Sequence, residues 1–167
     1  MEIDKNKKIM DIKFPPFLRV YDKIAIISPA SKIDKMLLKG AIERLKSWGL
    51  RPYLEKHADG SKGYYSGSIK ERVSDFQHAM DDEEVRAILC SRGGYGAVHL
   101  IDKLNFDKFK TSPKWLIGFS DITALHCMIQ HYGIASLHAP MAKQLTVEPK
   151  DDLCCNYLKD ILMGQLP

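Results

Sequence analysis

The chain has 167 residues, of which 45% are hydrophobic and 28% charged, enough for one domain with a buried apolar core. Its net charge of +4 is small, and its lysines and arginines are scattered among acidic residues, which argues against a nucleic-acid-binding face. No uncharged apolar run reaches the roughly 18 residues of a membrane span or resembles a signal-peptide core, so we expect neither nucleic acid nor membrane as a partner.

Apolar runs and helical stretches alternate along the chain. Residues 1–20 are interpreted as a tail and lead-in, because Pro15 and Pro16 oppose helix formation. The predicted strands, which are short and apolar as in a buried parallel sheet, cover residues 23–28, 51–55, 85–90, 114–119 and 135–137. Helical periodicity predicts helices over residues 34–48, 69–80, a stretch ending near 103, then 122–132 and 151–163. Met36, Ala41 and Leu45 are expected on the buried face of the first helix.

This alternation predicts an α/β fold built from βαβ units. The sheet should be mostly parallel with helices on both faces, as in flavodoxin-like and Rossmann-like folds. We assign residues 21–163 to this domain. Residues 164–167 are interpreted as the start of a linker to a C-terminal domain that is absent from the chain.

The strand-to-helix turns are the places to look for chemistry. In an open parallel sheet, ligands bind beyond the carboxyl ends of the strands. Four turns, at residues 28–31, 91–96, 118–121 and 138–140, should lie along this one edge.

Ser120 follows the fourth predicted strand and precedes a helix with almost no spacer. A serine on such a turn exposes its hydroxyl, and the N–H of Asp121 is a natural oxyanion donor. The match to Gly-x-Ser-x-Gly is incomplete, because Ile122 occupies the second glycine position. A serine before a helix is also the usual N-cap, and the local pattern alone favours the cap.

A glycine cluster, Arg92-Gly93-Gly94-Tyr95-Gly96, follows the third predicted strand. Glycines there let backbone amides approach a ligand closely, as in phosphate loops and oxyanion holes. The spacing matches neither the dinucleotide fingerprint nor the lysine-bearing phosphate loop. A tight turn that needs positive φ explains the glycines equally well.

The cysteines and histidines predict no metal site and no cofactor. The four cysteines lack the spacing of a disulfide framework or of a paired metal site, which favours reduced thiols in a cytoplasmic protein. His126 and His131 are five residues apart and do not share a helix face. His138 is expected at the carboxyl edge of the sheet, where it is a candidate base for Ser120.

The order of these segments resembles the LD-carboxypeptidase family, the muramoyltetrapeptide carboxypeptidases, which also contains the microcin self-immunity peptidases. The resemblance spans about residues 23–166, and its most specific parts are Arg-Gly-Gly-Tyr-Gly and Gly-Phe-Ser-Asp-Ile-Thr, each after a strand. The matching segments are residues 27–31, 63–64 with Gly67 and Arg72, 92–96, 118–123 and 138–141.

The resemblance implies a two-domain serine hydrolase with a Ser-Glu-His triad, in which Ser120 is the nucleophile. It also implies an oxyanion hole made by the amide of Asp121 with that of Gly94 or Gly93. The residues expected to contact substrate are Arg92, Tyr95, Ser28 and His138.

The family's activity removes the terminal D-alanine from murein tetrapeptide in the cytoplasm during cell-wall recycling, without a metal. The family's glutamate and histidine lie in a C-terminal domain that no segment here matches, so we expect this chain alone to be inactive. The expected partners are the murein peptide, that C-terminal domain and a second copy of the protein.

Two other functions stay open at this point. One is an amide hydrolase like the microcin self-immunity peptidases, which share these motifs. The other is a flavodoxin-like module, in which the loop at residues 93–96 would bind a phosphate or nucleotide and Ser120 would only cap a helix.

Overall fold

The computed structural model describes residues 11–165, which form an α/β domain around one parallel sheet. The strands are β1 (Lys23–Ile27), β2 (Arg51–Leu54), β3 (Val85–Cys90), β4 (Trp115–Gly118) and β5 (Leu137–His138). They lie in the order β2-β1-β3-β4-β5, and every neighbouring pair is parallel. The predicted α/β fold with a mostly parallel sheet is therefore confirmed.

Six α-helices accompany the strands in the described part of the chain. They are α1 (Lys35–Ser47), α2 (Ile69–Asp81), α3 (Asp107–Thr111), α4 (Thr123–His131), α5 (Ala142–Val147) and α6 (Leu153–Leu162). Two 3₁₀ helices, Ala97–Lys103 and Ser120–Ile122, follow β3 and β4. The helix predicted to end near residue 103 is thus a 3₁₀ helix, and the prediction missed α3 and α5, which have five and six residues.

The sheet is buried on both faces, which explains why its central strands are almost continuously apolar. In β1, Ile24 and Ile26 pack on one side against the layer of α1, α5 and α6. Ala25 and Ile27 point to the other side, toward the layer of α2 and α4. Successive side chains of a strand alternate between faces, so a strand covered on both sides needs apolar residues at every position.

The buried face of α1 differs in one respect from the prediction. Asp34 caps the helix by accepting a hydrogen bond from the Met36 N–H at 2.8 Å. The first turn then faces solvent, and the Met36 side chain is 68% exposed. Leu38 occupies the buried position instead, together with Ala41 and Leu45, which were predicted correctly.

The described part of the predicted lead-in lies against the domain. Lys13 forms a parallel bridge with Ile134, at the β5 side of the sheet. Leu18 is buried, and its N–H donates to the carbonyl of Leu162 at 2.7 Å. Residues 11–18 are therefore part of the packed surface, whereas residues 1–10 of the predicted tail and residues 166–167 of the predicted linker lie outside the described residues.

Candidate active site

The backbone at Ser120 is unusual for a residue other than glycine. Phe119 is extended, with φ −152° and ψ −174°, and Ser120 then adopts φ 64°, in the left-handed region. A residue with a side chain pays about 1–3 kcal/mol for this conformation, which persists only where the surrounding structure enforces it. The turn connects β4 directly to the short helix Ser120–Ile122 and to α4, and leaves Ser120 exposed.

This geometry distinguishes between the two predicted roles of Ser120. An N-cap residue is extended, and its side-chain oxygen accepts a bond from the first turn of the helix. Ser120 is left-handed, the residues at the N-cap positions are Phe119 and Ile122, and neither helix has a side-chain capping bond. Ser120 therefore does not cap a helix, although the local sequence pattern favours a cap.

Gly93 lies directly against the Ser120 side chain. A Cβ atom placed on Gly93 would be 3.1 Å from Ser120 Cβ, 3.2 Å from Ser120 Oγ and 3.4 Å from the Asp121 nitrogen. Gly94 has φ 122°, and a Cβ atom there would collide with Ser31 Oγ. The glycine loop after β3 thus requires small residues because it packs against both the Ser120 turn and the turn after β1.

Backbone N–H groups are available at this junction. Within residues 11–165, the N–H groups of Gly93, Gly94 and Asp121 have no hydrogen-bond partner. Unpaired amides beside an exposed hydroxyl can bind the negative charge that develops on a carbonyl oxygen during attack. Of these residues, Asp121 is the chain neighbour of Ser120, and Gly93 packs against the Ser120 side chain.

The Asp121 side chain connects the two loops. One carboxylate oxygen of Asp121 accepts a hydrogen bond from the Ala97 N–H at 2.9 Å, which holds the start of the 3₁₀ helix after the glycine cluster. A carboxylate is well suited to this position, because charge-assisted bonds to backbone N–H groups are stronger than neutral ones.

Arg72 of α2 holds the other side of the glycine loop. Its guanidinium is buried, donates to the carbonyls of Pro29 at 2.7 Å and Gly96 at 2.9 Å, and lies over the Tyr65 ring at 4.9 Å. Burial lowers the pKa of Arg72, and electrostatic interaction with Asp121 offsets only part of this effect. Arg72 therefore stabilises the turns after β1 and β3, and it also helps to line an open hollow of about 640 Å³ with Tyr65 and His99.

Ser28, which was predicted to contact substrate, lies inside the protein. It is 3% exposed, and its hydroxyl donates to the Ala58 carbonyl at 2.5 Å and accepts from Ser91 Oγ at 2.6 Å. Its own carbonyl accepts from Ser66 Oγ. Because each of these groups is already paired inside the protein, we reassign Ser28 to holding together the loops that follow β1, β2 and β3.

The other predicted contacts lie on the surface of the same edge. Tyr95 is 55% exposed and packs edge-to-face on His99 at 5.4 Å, and Arg92 donates to the Lys32 carbonyl at 3.3 Å. His138 ends β5 and is exposed, with its ring 6.0 Å from that of Phe119. Phe119, His138 and Pro140 help to line a hollow of about 370 Å³ beside the Ser120 turn.

Sequence reasoning missed the roles of three side chains at this site. The Asp121 carboxylate and Arg72 bind backbone groups of the loops, and His126 binds the carbonyl at the end of β4. Only burial of a charged residue within a helix could have indicated Arg72, and a single sequence does not show burial. Among residues 11–165, no group of three or more His, Cys, Asp or Glu side chains is placed to hold a metal ion, and no described helix is long and apolar enough to cross a membrane.

Known proteins share both the sequence and the fold. Two curated relatives are a murein tetrapeptide carboxypeptidase of Pseudomonas aeruginosa, 33% identical over 128 residues, and a probable murein peptide carboxypeptidase of Bacillus subtilis, 36% identical over 128 residues. Each alignment covers 76% of this chain, but only 42% and 40% of the respective relative. The chain thus spans less than half the length of these curated relatives.

Solved structures match over most of the described domain. An MccF-like protein from Bacillus anthracis superimposes with a TM-score of 0.82 and 29% identity, over 90% of this chain and 47% of that protein. A muramoyltetrapeptide carboxypeptidase from Oxalobacter formigenes superimposes with a TM-score of 0.75 and 26% identity, over 83% and 47%. The family model described as the LD-carboxypeptidase N-terminal domain matches residues 24–139, and the chain belongs to this family.

Proposed function

We propose that this chain is the nucleophile-bearing domain of a serine carboxypeptidase that releases the terminal D-alanine from murein tetrapeptide. The observation that carries the proposal is the left-handed serine at the end of β4, with an exposed side chain that contacts Gly93. Neither packing of the apolar core nor helix capping accounts for this conformation. The relatives named as murein peptide carboxypeptidases supply the substrate class.

The chemistry follows from the geometry of the turn. Ser120 Oγ attacks the carbonyl of the bond before D-alanine, while a histidine takes the hydroxyl proton. The amides of Asp121 and of Gly93 or Gly94 stabilise the resulting oxyanion. The amine of D-alanine leaves with a proton, and water then hydrolyses the acyl-enzyme. The histidine and its glutamate partner come from a further domain of the full-length protein.

The remaining parts of the proposal concern the surroundings of this reaction. Arg92, Tyr95 and His138 lie at the surface of the same edge and would contact the peptide. The enzyme would work in the cytoplasm on recycled cell-wall peptides, without a metal. The C-terminal domain and a second copy of the protein would be its protein partners.

A second candidate reaction is hydrolysis of other amides, as in the microcin self-immunity branch of the family. The superposition on an MccF-like protein supports this alternative, because the two proteins share the fold. The two reactions differ in the leaving group, so amides that lack a C-terminal D-residue separate them. A flavodoxin-like phosphate-binding role receives less support, because Ser120 does not cap a helix.

The decisive test is a Ser120→Ala substitution in the full-length gene product. We expect D-alanine release from murein tetrapeptide to fall by at least about a thousandfold, because no other hydroxyl can form the acyl-enzyme. Ser74→Ala, at an exposed position on α2, is the matched control and should leave turnover unchanged. Undiminished release by the Ser120 variant would refute the role of Ser120, and activity restricted to amides without a D-residue would favour the second candidate.

A further inference from the structure

His126 of α4 has both ring nitrogens engaged near the Ser120 turn. Nε2 lies 2.8 Å from the carbonyl oxygen of Gly118, and Nδ1 lies 2.8 Å from Ser136 Oγ. A carbonyl oxygen only accepts, so Nε2 carries the proton and, in the neutral ring, Nδ1 accepts from the Ser136 hydroxyl. Burial lowers the pKa of His126 more than its bond to Gly118 raises it, which favours the neutral ring.

The Gly118 carbonyl oxygen connects the end of β4 to α4 and to the residue after β5 through hydrogen bonds. It ends β4, and it accepts hydrogen bonds from His126 of α4 and from the Ala139 N–H at 3.2 Å, just after β5. Only Phe119, which is extended, separates Gly118 from Ser120. The direction in which the chain leaves Gly118 therefore determines where the left-handed turn at Ser120 begins.

The turn needs restraints from outside itself. A serine stays left-handed only where its surroundings leave no lower-energy alternative, and Ser120 Oγ forms no hydrogen bond within residues 11–165. Gly93 packs on one side of the Ser120 side chain. On the strand side, His126 donates a hydrogen bond to the Gly118 carbonyl, and the Ile122 side chain packs against Gly118.

We infer that His126 is a positioning residue, which holds Ser120 in its left-handed conformation by binding Gly118, the last residue of β4, and Ser136, which precedes β5. His126 does not act as the base, because its protonated Nε2 is committed to Gly118 and its Nδ1 to Ser136. The consequence for catalysis rests on the proposed function. The consequence for the Ser120 conformation does not, and it can be measured separately.

The test compares four substitutions that remove or keep the hydrogen bond to Gly118. His126→Leu removes both bonds at similar volume, and His126→Gln keeps a donor at about the position of Nε2. His126→Asn reaches only toward Ser136, and His131→Leu, at an exposed position on the same helix, is the matched control.

In the 167-residue chain, the three-bond coupling between the Ser120 amide and α protons reports φ. In the full-length gene product, kcat and KM for murein tetrapeptide are measured.

We expect His126→Leu and His126→Asn to shift the Ser120 coupling and to lower kcat at least about tenfold with less than a twofold change in KM. His126→Gln and His131→Leu should retain both values. If His126→Leu does not fold, the comparison of His126→Gln with His126→Asn tests the inference. Equal Ser120 couplings and equal kcat values for these two variants would overturn it. Unchanged coupling and kcat in a folded Leu variant would overturn it as well. Undiminished turnover after Ser120→Ala would instead refute the proposed function, and the coupling would still decide whether His126 holds the turn.

Discussion

A methyl group at position 93 would lie directly between the glycine loop and the proposed nucleophile. Gly93 does not need positive φ, so its backbone accepts alanine, but the new Cβ would sit 3.2 Å from Ser120 Oγ and 3.4 Å from the Asp121 nitrogen. Ser120 would have to move by a few tenths of an ångström. We expect Gly93→Ala in the full-length gene product to lower kcat for D-alanine release about tenfold or more, because small misplacements of a nucleophile are costly.

The stability of the Gly93→Ala variant should change little, by about 1 kcal/mol or less, because the displaced side chain is exposed. Gly63→Ala is the control, since its methyl group would meet nothing within 4 Å although its φ of 61° is strained. It should lose some stability and keep full activity. Urea unfolding and turnover, measured on both variants, separate the two effects. Normal turnover by Gly93→Ala would contradict the close contact between this loop and Ser120.

At the scale of elements, a buried lysine connects β4 to the end of α2. Lys114 is 3% exposed, and its ammonium donates to the carbonyls of Ala79, at 3.2 Å, and Asp82. These carbonyls lie at the C-terminus of the helix, where a positive charge is favourable. Burial nevertheless dominates, and it lowers the pKa of Lys114 to about 8.

This pKa predicts how stability depends on pH. Between pH 8 and 10.5 the folded protein loses the Lys114 proton while the unfolded chain keeps it, so the unfolded state binds more protons and stability from this residue rises with pH. The cost of the buried charge is fully present below pH 8. We expect the unfolding free energy of the wild type, relative to Lys114→Met, to increase by on the order of 1 kcal/mol from pH 8 to 9.5.

Urea unfolding of both proteins at matched pH values measures this difference, and the Met variant cancels the titration of other groups. Lys159→Met, on the far side of the sheet, is a control that should show no such relative change. A difference between wild type and Lys114→Met that stays constant over this range would mean that Lys114 remains charged in the folded protein.

The elements themselves were largely predictable because their signals are local. The six residues of β3 were predicted without error, since five of them are apolar and buried and only Arg86 interrupts the run. Helices α3 and α5 were missed because five or six residues span fewer than two turns, too few for periodicity to appear. The face of α1 was misjudged at Met36 because the cap at Asp34 sets which residues fall in the exposed first turn.

At the scale of the whole molecule, the sequence predicts where the site lies but not how it is held together. Parallel strands bring their carboxyl ends to one edge, so the proximity of Gly93 and Ser120 follows from topology. The roles of Ser28 and Arg72 depend on contacts across 24 to 63 residues of sequence, such as Ser28 with Ser91 and Arg72 with Gly96. A single sequence carries no record of such long-range pairs.

In the described domain, Ser120 is exposed at a left-handed turn, but no general base is positioned beside it. Within residues 11–165, no histidine or carboxylate forms a hydrogen bond with Ser120 Oγ, and both nitrogens of His126 are committed elsewhere. A serine hydroxyl without a positioned base is a poor nucleophile, and general-base assistance contributes about a hundredfold or more. We therefore expect the 167-residue chain to release D-alanine from murein tetrapeptide no faster than its own Ser120→Ala variant, and at least about a hundredfold more slowly than the full-length gene product.

Coupled-enzyme detection of D-alanine measures all three rates. Turnover by the 167-residue chain that depends on Ser120 would mean that a residue of this domain supplies the base, and loss of that turnover in a His138→Gln variant would identify it.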